Sequence, residues 1–589
     1  MKKNEIYEGV VTELKFPNKG IVQTEEGNVT VKGVLPGQKV SFRLTKKKHE
    51  RMEGRLEEVI THAPNEVEPQ CPHFGICGGC TYQNLSAESQ AEMKAGQVRK
   101  LLTNALQNFG DAAFYGSGVS MPVITEDTVP GSVNVPTDIL KKGDWFESVT
   151  ESPKTEGYRN KMEYSFGNAV IDGPLELGMH RAGRFNDVVT VDQCRIVDED
   201  YRKILSATHD FFKSREIPFW RKRTEEGYLR HFLVRKAHKT GEILILLETT
   251  SQMAPDLNEF KEHLLSLDLE GEIVGLLHLT NDLSGDAVKG DDIEIIYGRD
   301  YFFEEILGLR FKITPFSFFQ TNSYGAEVLY EKAREYAIEG MKLMHEGDDA
   351  VRKPVIFDLY SGTGTIGQIM APVAEKVIGI EIVGEAVEAA KENAELNGLT
   401  NTEFIAGDVL KMLETVDEKP DFIMLDPPRE GCTPKALTKI LDYGVKSIVY
   451  ISCKPTSLAR DIDAIIKAGY RVVKAGCVDM FPFTSSIETV VLLSKGTIPS
   501  KKVKVEFSLE GMNTDGFKDG ATYDEITKWV QDKYGFHVTN LNIAQVKQKH
   551  GIIERENYNK PKSENSRQPG CPEEKIKAIE DAMKHFKMI

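Results

Sequence analysis

From Val355 onward, two kinds of apolar segment alternate along the chain. "VIFDLY", "KVIGIE", "PDFIMLDPP" and "SIVYISC" are short and nearly continuous in apolar or β-branched residues. "SGTGTIGQIMA" opens on a glycine turn, and "GEAVEAAKENAELNG" spaces its apolar residues as a helix does and ends on Gly398. Short runs that are apolar on both faces suit strands covered on both sides. The intervening helices supply the crossovers that parallel neighbours need. The alternation therefore predicts an α/β unit, a doubly wound parallel sheet over residues 351–497. Ligands of such sheets bind outside the carboxyl ends of the strands, so the residues closing each strand are the first candidates for a site.

Three strand ends carry informative residues. "FDLYSGTGTIG" reads as a strand, a Gly-rich turn and a helix start, and Glu381 closes the next strand, where a carboxylate can accept hydrogen bonds from a ribose diol. The turn lacks the Gly-Lys-Ser/Thr ending of a phosphate-binding loop. D-x-Y-S-G-T-G with an acidic residue after the second strand resembles the S-adenosylmethionine site of Rossmann-like methyltransferases. In "LDPPREG", two prolines withdraw two backbone donors and present Asp426 in a rigid turn. "SIVYISCKPTSLARD" puts Cys453 at the mouth of the sheet. Most free cysteines are small buried hydrophobes, so this thiol gains meaning only from its neighbours.

A chain of 589 residues is too long for one core. Residues 1–60 alternate short β-rich runs with Gly and Pro turns and predict a small barrel. Residues 61–350 hold a cysteine-rich stretch, a helical stretch at 86–107 and a strand-rich region, and predict a central α+β domain. Residues 498–589 combine helical spacing (Ile526, Trp529, Val530, Tyr534) with a basic loop containing Lys560, Lys562 and Arg567, and predict a small helical extension that binds RNA phosphates. The net charge of −16 disfavours nucleic acid as a partner of the whole surface, but both ends of the chain carry a slight excess of Lys and Arg. No apolar run approaches a membrane span and "MKKNEIYEGVV" has no signal-peptide core, so a cytoplasmic location and no membrane partner are expected. "CPHFGICGGC" crowds Cys71, Cys77 and Cys80 together, which in a reducing compartment points to a metal or iron–sulfur site rather than disulfides.

Taken in order, "QTN", "DLYSGTGTIG", "IGIE", "LDPPREG", "YISCKP" and "DMFPFTSSIETVVLL" resemble the RNA 5-methyluridine methyltransferases, of the RumA/RlmD ribosomal and TrmA transfer-RNA types. The likeness runs from residue 1 to about 497. It implies a Rossmann-like S-adenosylmethionine domain, an OB-like barrel of the TRAM kind, and covalent chemistry on uracil. Uracil C5 is a weak nucleophile until a thiolate adds at C6, and a base must later remove the C5 proton. The resemblance assigns Cys453 as nucleophile and Glu488 as base. It carries Gln320, Tyr360, Glu381 and Asp426 over as cofactor contacts.

The resemblance also adds Cys194 to Cys71, Cys77 and Cys80 as the ligands of a [4Fe–4S] cluster, whereas spacing alone serves a four-thiolate zinc equally well. Cys432, Cys477 and Cys571 are read as structural. Lys454, Ser457 and Ser486 stand where the family usually has Asn, Thr and His. "YRNKMEYSF" and "GYLRHFLVR" interleave cations with aromatics, as base-stacking surfaces do. A specific uridine of 23S ribosomal RNA is the expected substrate and the protein is expected to act as a monomer. The alternatives are a transfer-RNA uridine, an exocyclic amine served by Asp426-Pro-Pro, and a non-catalytic RNA-binding or assembly protein.

Overall fold

The computed structural model describes residues 1–48, 51–114, 145–285, 288, 292–344, 352–495, 523–550 and 571–586. The chain divides into two compact units, Met1–Val505 and Glu506–Ile589.

In the first unit, the β-rich runs at the amino terminus close into a five-stranded barrel. Ile6–Lys15 closes it by pairing with both Lys19–Thr24 and Lys39–Lys48. Alternate residues point inward, and Val22, Val29, Val31, Val40, Phe42 and Leu44 form the barrel's buried core. A seven-stranded sheet, built from strands between Lys161 and Gly298, packs its apolar face on the helices Glu199–Ser214 and Asn258–Leu265.

The third sheet positions the site. Its eight strands run in the order Thr402–Ala406, Lys376–Glu381, Val355–Leu359, Phe422–Leu425, Ser447–Ser452, Glu488–Lys495, Tyr470–Asp479 and Thr150–Glu151. The first five are mutually parallel. The chain moves outward from Val355–Leu359 on one side and then returns to start the other, which creates the switch point where ligands of open α/β sheets bind. The sheet departs from the all-parallel expectation at its far side. Glu488–Lys495 runs antiparallel to both of its neighbours. The 480–487 connection is too short to carry a crossover, so the strands it joins must form a hairpin.

The core beneath this sheet also recruits distant segments. Ala95, Val98, Leu102 and Leu106 of the helix Ala87–Leu106 pack with Trp145, Phe146, Ile448, Tyr450 and Leu458. The long helix Ser323–Met344 covers the other face, where Ser447 Oγ donates to Gly340 O at 3.2 Å.

In the second unit, Tyr523–Tyr534, Asn540–Lys549 and Glu573–His585 enclose a small core of Ile526, Val530, Val538, Ile543, Val546, Ile579 and Met583. Trp529 packs against that core, whereas Tyr534 is exposed. Lys560, Lys562 and Arg567 lie outside the described residues. No helix among the described residues is long and apolar enough to cross a membrane.

Candidate active site

The glycine turn is held by acids on two adjacent strands. Asp358 is fully buried, and its Oδ2 accepts the Gly367 N–H at 2.8 Å. Burial pushes this carboxyl up to about 7 against that hydrogen bond. The chain then doubles back through Tyr360 (φ +66°), Gly362 (φ +54°) and Gly364 (φ +73°). For Tyr360 the left-handed region is strained, and both its N–H and that of Ser361 are tied to Ile380 O at 2.9 and 3.1 Å. A side chain at Gly364 would strike Phe404 at 2.6 Å, whereas one at Gly362 would meet nothing within 4 Å, so the outer face of the turn is open. Glu381 uses both oxygens locally, accepting Gly362 N–H at 3.1 Å and Val383 N–H at 2.9 Å. Beside it, Ile382 and Val383 are 64% and 51% exposed. The Tyr360 ring lies against the core with its hydroxyl at Cys432, so its share in the turn is made by its backbone.

The other strand ends converge next to this turn. Asp426 follows Phe422–Leu425, and its N–H reaches Leu359 O at 3.3 Å. Cys453 follows Ser447–Ser452, and Glu488 opens the antiparallel neighbour. Ser452 pairs with Thr489, so the next residues in each direction, Cys453 and Glu488, emerge side by side at the sheet edge. Glu488 is 5% exposed; burial pushes it up to about 7, with Arg429 opposing. Asp426, partly accessible at its surface but with an enclosed carboxyl, is held well above the usual carboxylate range by burial, Glu488 and Asp358. Cys453 is pushed up to about 11 by burial and by the charges of Glu488 and Asp426, while Arg429 hydrogen-bonds it and favours the thiolate.

Two further residues belong to this constellation. Arg429 is the cation of the site, and Ser457 Oγ fixes its backbone by donating to Arg429 O at 2.6 Å. A thiolate beside two acids needs a cation, so the Arg of "LDPPREG" was the available signal. Tyr330 of the helix Ser323–Met344 is buried, with its hydroxyl in reach of the Gln320 side chain and raised by burial and by Asp426, Glu488 and Asp358. Gln320 is thereby joined to the acids, and its backbone carbonyl accepts from Asn160 Nδ2 at 3.0 Å. The unusual Lys454 turns away, its Nζ 3.2 Å from Glu430 Oε1.

The cysteine-rich loop is fastened elsewhere on the same unit. Cys77 bridges Arg181, Gly78 N–H donates to His180 O at 3.1 Å, and Ala182 N–H donates to Ile76 O at 2.8 Å. His73 Nε2 accepts from Gln193 N–H at 3.3 Å, which draws in the turn carrying Cys194. The four thiols are close enough to act on one another electrostatically. Burial, with the neighbouring thiols, pushes Cys80 up to about 12 and Cys194 up to about 11. Among the described residues, however, no group of three or more His, Cys, Asp or Glu side chains is arranged to hold a metal ion.

The sequence model of the tRNA (uracil-5-)methyltransferase family matches residues 308–496, which includes Gln320, the glycine turn, Asp426, Cys453 and Glu488. An uncharacterized RNA methyltransferase of Caldanaerobacter subterraneus subsp. tengcongensis is 46% identical over 495 residues, covering 84% of this chain and 100% of that protein. Another from Clostridium tetani is 43% identical over 496 residues, with 84% and 99% covered. Among solved structures, the Pyrococcus abyssi tRNA (uracil-54, C5)-methyltransferase in complex with S-adenosyl-L-homocysteine shares the fold, with a TM-score of 0.61 at 24% identity, covering 83% of this chain and 100% of that one. The chain thus belongs to the (uracil-5-)methyltransferase family, as an S-adenosylmethionine-dependent RNA methyltransferase.

Proposed function

We propose that this enzyme methylates C5 of a specific uridine in 23S ribosomal RNA through a covalent adduct at Cys453. The observation that carries the reading is the pairing of Cys453 and Glu488 on neighbouring strands, with Arg429 against the thiol. Bound S-adenosylmethionine supplies an electrophilic methyl group. The open turn at Gly362 suits that ligand, and the exposed Ile382 and Val383 offer an apolar surface to its flat base. Glu381 and the Tyr360 backbone shape the turn, and Gln320 and Asp426 are assigned to the same ligand. Cys453 Sγ, as thiolate, bonds to uracil C6 and sends the electron pair onto O4. The enolate makes C5 nucleophilic, and C5 takes the methyl group. Glu488 then removes the C5 proton, the C6–S bond breaks, and the thiolate is restored.

The pH dependence follows from Glu488, which works only as a carboxylate. Its folded value near 7 means that the base is ionised above that pH and lost below it. Measured as decay of adduct already formed, release of methylated RNA should fall roughly tenfold per unit below about pH 7. Glu488→Gln should release essentially no methylated RNA at any pH. A wild-type profile that is flat from pH 5 to 8 would remove Glu488 as the base.

The amino-terminal barrel, read as a TRAM module, and the cysteine loop support ribosomal RNA as substrate. A transfer-RNA uridine is the second reading, favoured by the whole-length likeness in fold to the Pyrococcus enzyme. Mapping 5-methyluridine in ribosomal and transfer RNA from cells with and without the gene separates the two.

We further propose that Cys71, Cys77, Cys80 and Cys194 hold a [4Fe–4S] cluster, which their shared neighbourhood and all-thiol donor set support. Anaerobically purified protein should be brown with about four irons, and Cys194→Ser should lose them. One zinc per chain and no visible absorption would overturn the assignment.

A further inference from the structure

The 480–487 connection joins Asp479, which closes one strand, to Glu488, which opens the next, and it is gripped from three directions. Lys94, on the helix Ala87–Leu106, has no exposed side-chain surface and commits all three of its ammonium hydrogens. Its Nζ lies 2.5 Å from Asp479 Oδ1, 3.2 Å from Thr484 O and 3.3 Å from Ser486 O. One turn earlier on the same helix, buried Gln90 accepts the Phe483 N–H through Oε1 at 2.5 Å. From the cysteine loop, the N–H groups of Thr81 and Tyr82 both donate to Phe483 O, at 2.7 and 3.0 Å. The Tyr158 hydroxyl donates to Pro482 O at 2.8 Å. Phe483 itself sits at φ +66°, a conformation that a bulky residue keeps only when its surroundings impose it.

These bonds bracket Glu488. Asp479 adjoins Val478, the register partner of Glu488, and Ser486 lies two residues before it. Burying an ammonium with its carboxylate is a weak way to gain stability, because apolar replacements of such pairs are often neutral. Its effect on geometry is definite: the backbone entering the Glu488 strand is fixed on both sides. We infer that Lys94 and Gln90 are positioning residues for Glu488, locking the 480–487 turn so that the carboxyl stays aligned with the C5 proton of a uracil bound at Cys453. Neither residue reaches the site itself. The inference rests on Glu488 acting as the base.

The test uses full-length Lys94→Met and Gln90→Met, with Glu488→Gln as control, and methyl-labelled S-adenosylmethionine. The RNA is unmethylated total RNA from cells lacking the gene. Three quantities are read: turnover, formation of a denaturant-resistant protein–RNA adduct, and affinity for S-adenosylmethionine. A misaligned base slows elimination alone. Turnover should fall roughly ten- to a hundredfold, while adduct formation and cofactor affinity hold, so labelled adduct accumulates as it does in Glu488→Gln. A general structural loss would lower adduct formation and turnover together, and that result overturns the inference, as does unchanged turnover in both variants. Should Lys94→Met fail to fold, Gln90→Met decides, since it removes one neutral acceptor and leaves the ion pair intact. Adduct in Glu488→Gln but in neither helix variant removes the clasp alone. No adduct in Glu488→Gln removes the base, and the clasp with it.

Discussion

Cys453→Ala is expected to abolish methyl transfer, by a factor of about 10⁴ or more, while leaving S-adenosylmethionine bound. Without the thiol nothing adds to C6, C5 keeps the low nucleophilicity of uracil, and no other group at the site can replace that step. The glycine turn and Glu381 hold their shape through hydrogen bonds that do not involve Cys453. Calorimetric titration with S-adenosylmethionine should therefore give nearly the wild-type affinity, alongside no product. Retained activity would point instead to an exocyclic amine, held by Asp426-Pro-Pro, that attacks the methyl group directly, chemistry that needs no thiol.

Glu488→Gln should fail in a different way. The amide fills the same space but cannot take the C5 proton, so addition and methyl transfer proceed and elimination stalls. RNA carrying a new methyl group should stay attached to Cys453 through denaturing electrophoresis, at close to one per enzyme. The loss of a buried carboxyl also removes one of the charges that push the Cys453 thiol upward, so adduct formation should be no slower than in the wild type. If free methylated RNA is released at the normal rate, another group removes the proton.

Much of this site was legible because strand ends announce themselves. Prolines at 427 and 428, glycines at 362 and 364 and the end of an apolar run at Ser452 fix where Asp426, the turn and Cys453 stand, and the structure brings all three to one edge. Glu381 was legible in place but not in its partners, because only the folded turn shows that both its oxygens are taken by backbone N–H groups. Tyr330 was invisible, since Leu329, Tyr330, Ala333 and Tyr336 read as an ordinary buried helix face. That its hydroxyl ends among the acids depends on how the helix lies across the sheet. Lys94 was hidden for a related reason. Periodicity marks which face of Ala87–Leu106 is apolar, but it gives no sign that a lysine on that helix meets a carboxylate nearly four hundred residues away. The reversed last strand was implicit in a short connection, which is a constraint of chain length rather than of residue type.

The recruitment of Ala87–Leu106 and Thr150–Glu151 to the catalytic sheet has a consequence for synthesis. These segments leave the ribosome some three hundred residues ahead of the strands they cover and must wait for them, because their partner Tyr470–Asp479 is among the last strands made. Until then the apolar faces of Val98, Leu102, Trp145 and Phe146 have nothing in the sheet to cover. The helix can meet the barrel early, with Met93 beside Leu14 and Gln97 Nε2 donating to Leu14 O, but its packing on the sheet is completed last. A chain begun at residue 351 would carry Glu381, Asp426, Cys453 and Glu488 and still lack both Ala87–Leu106 and Ser323–Met344, leaving apolar surface on both faces of its sheet uncovered and an open edge prone to self-association.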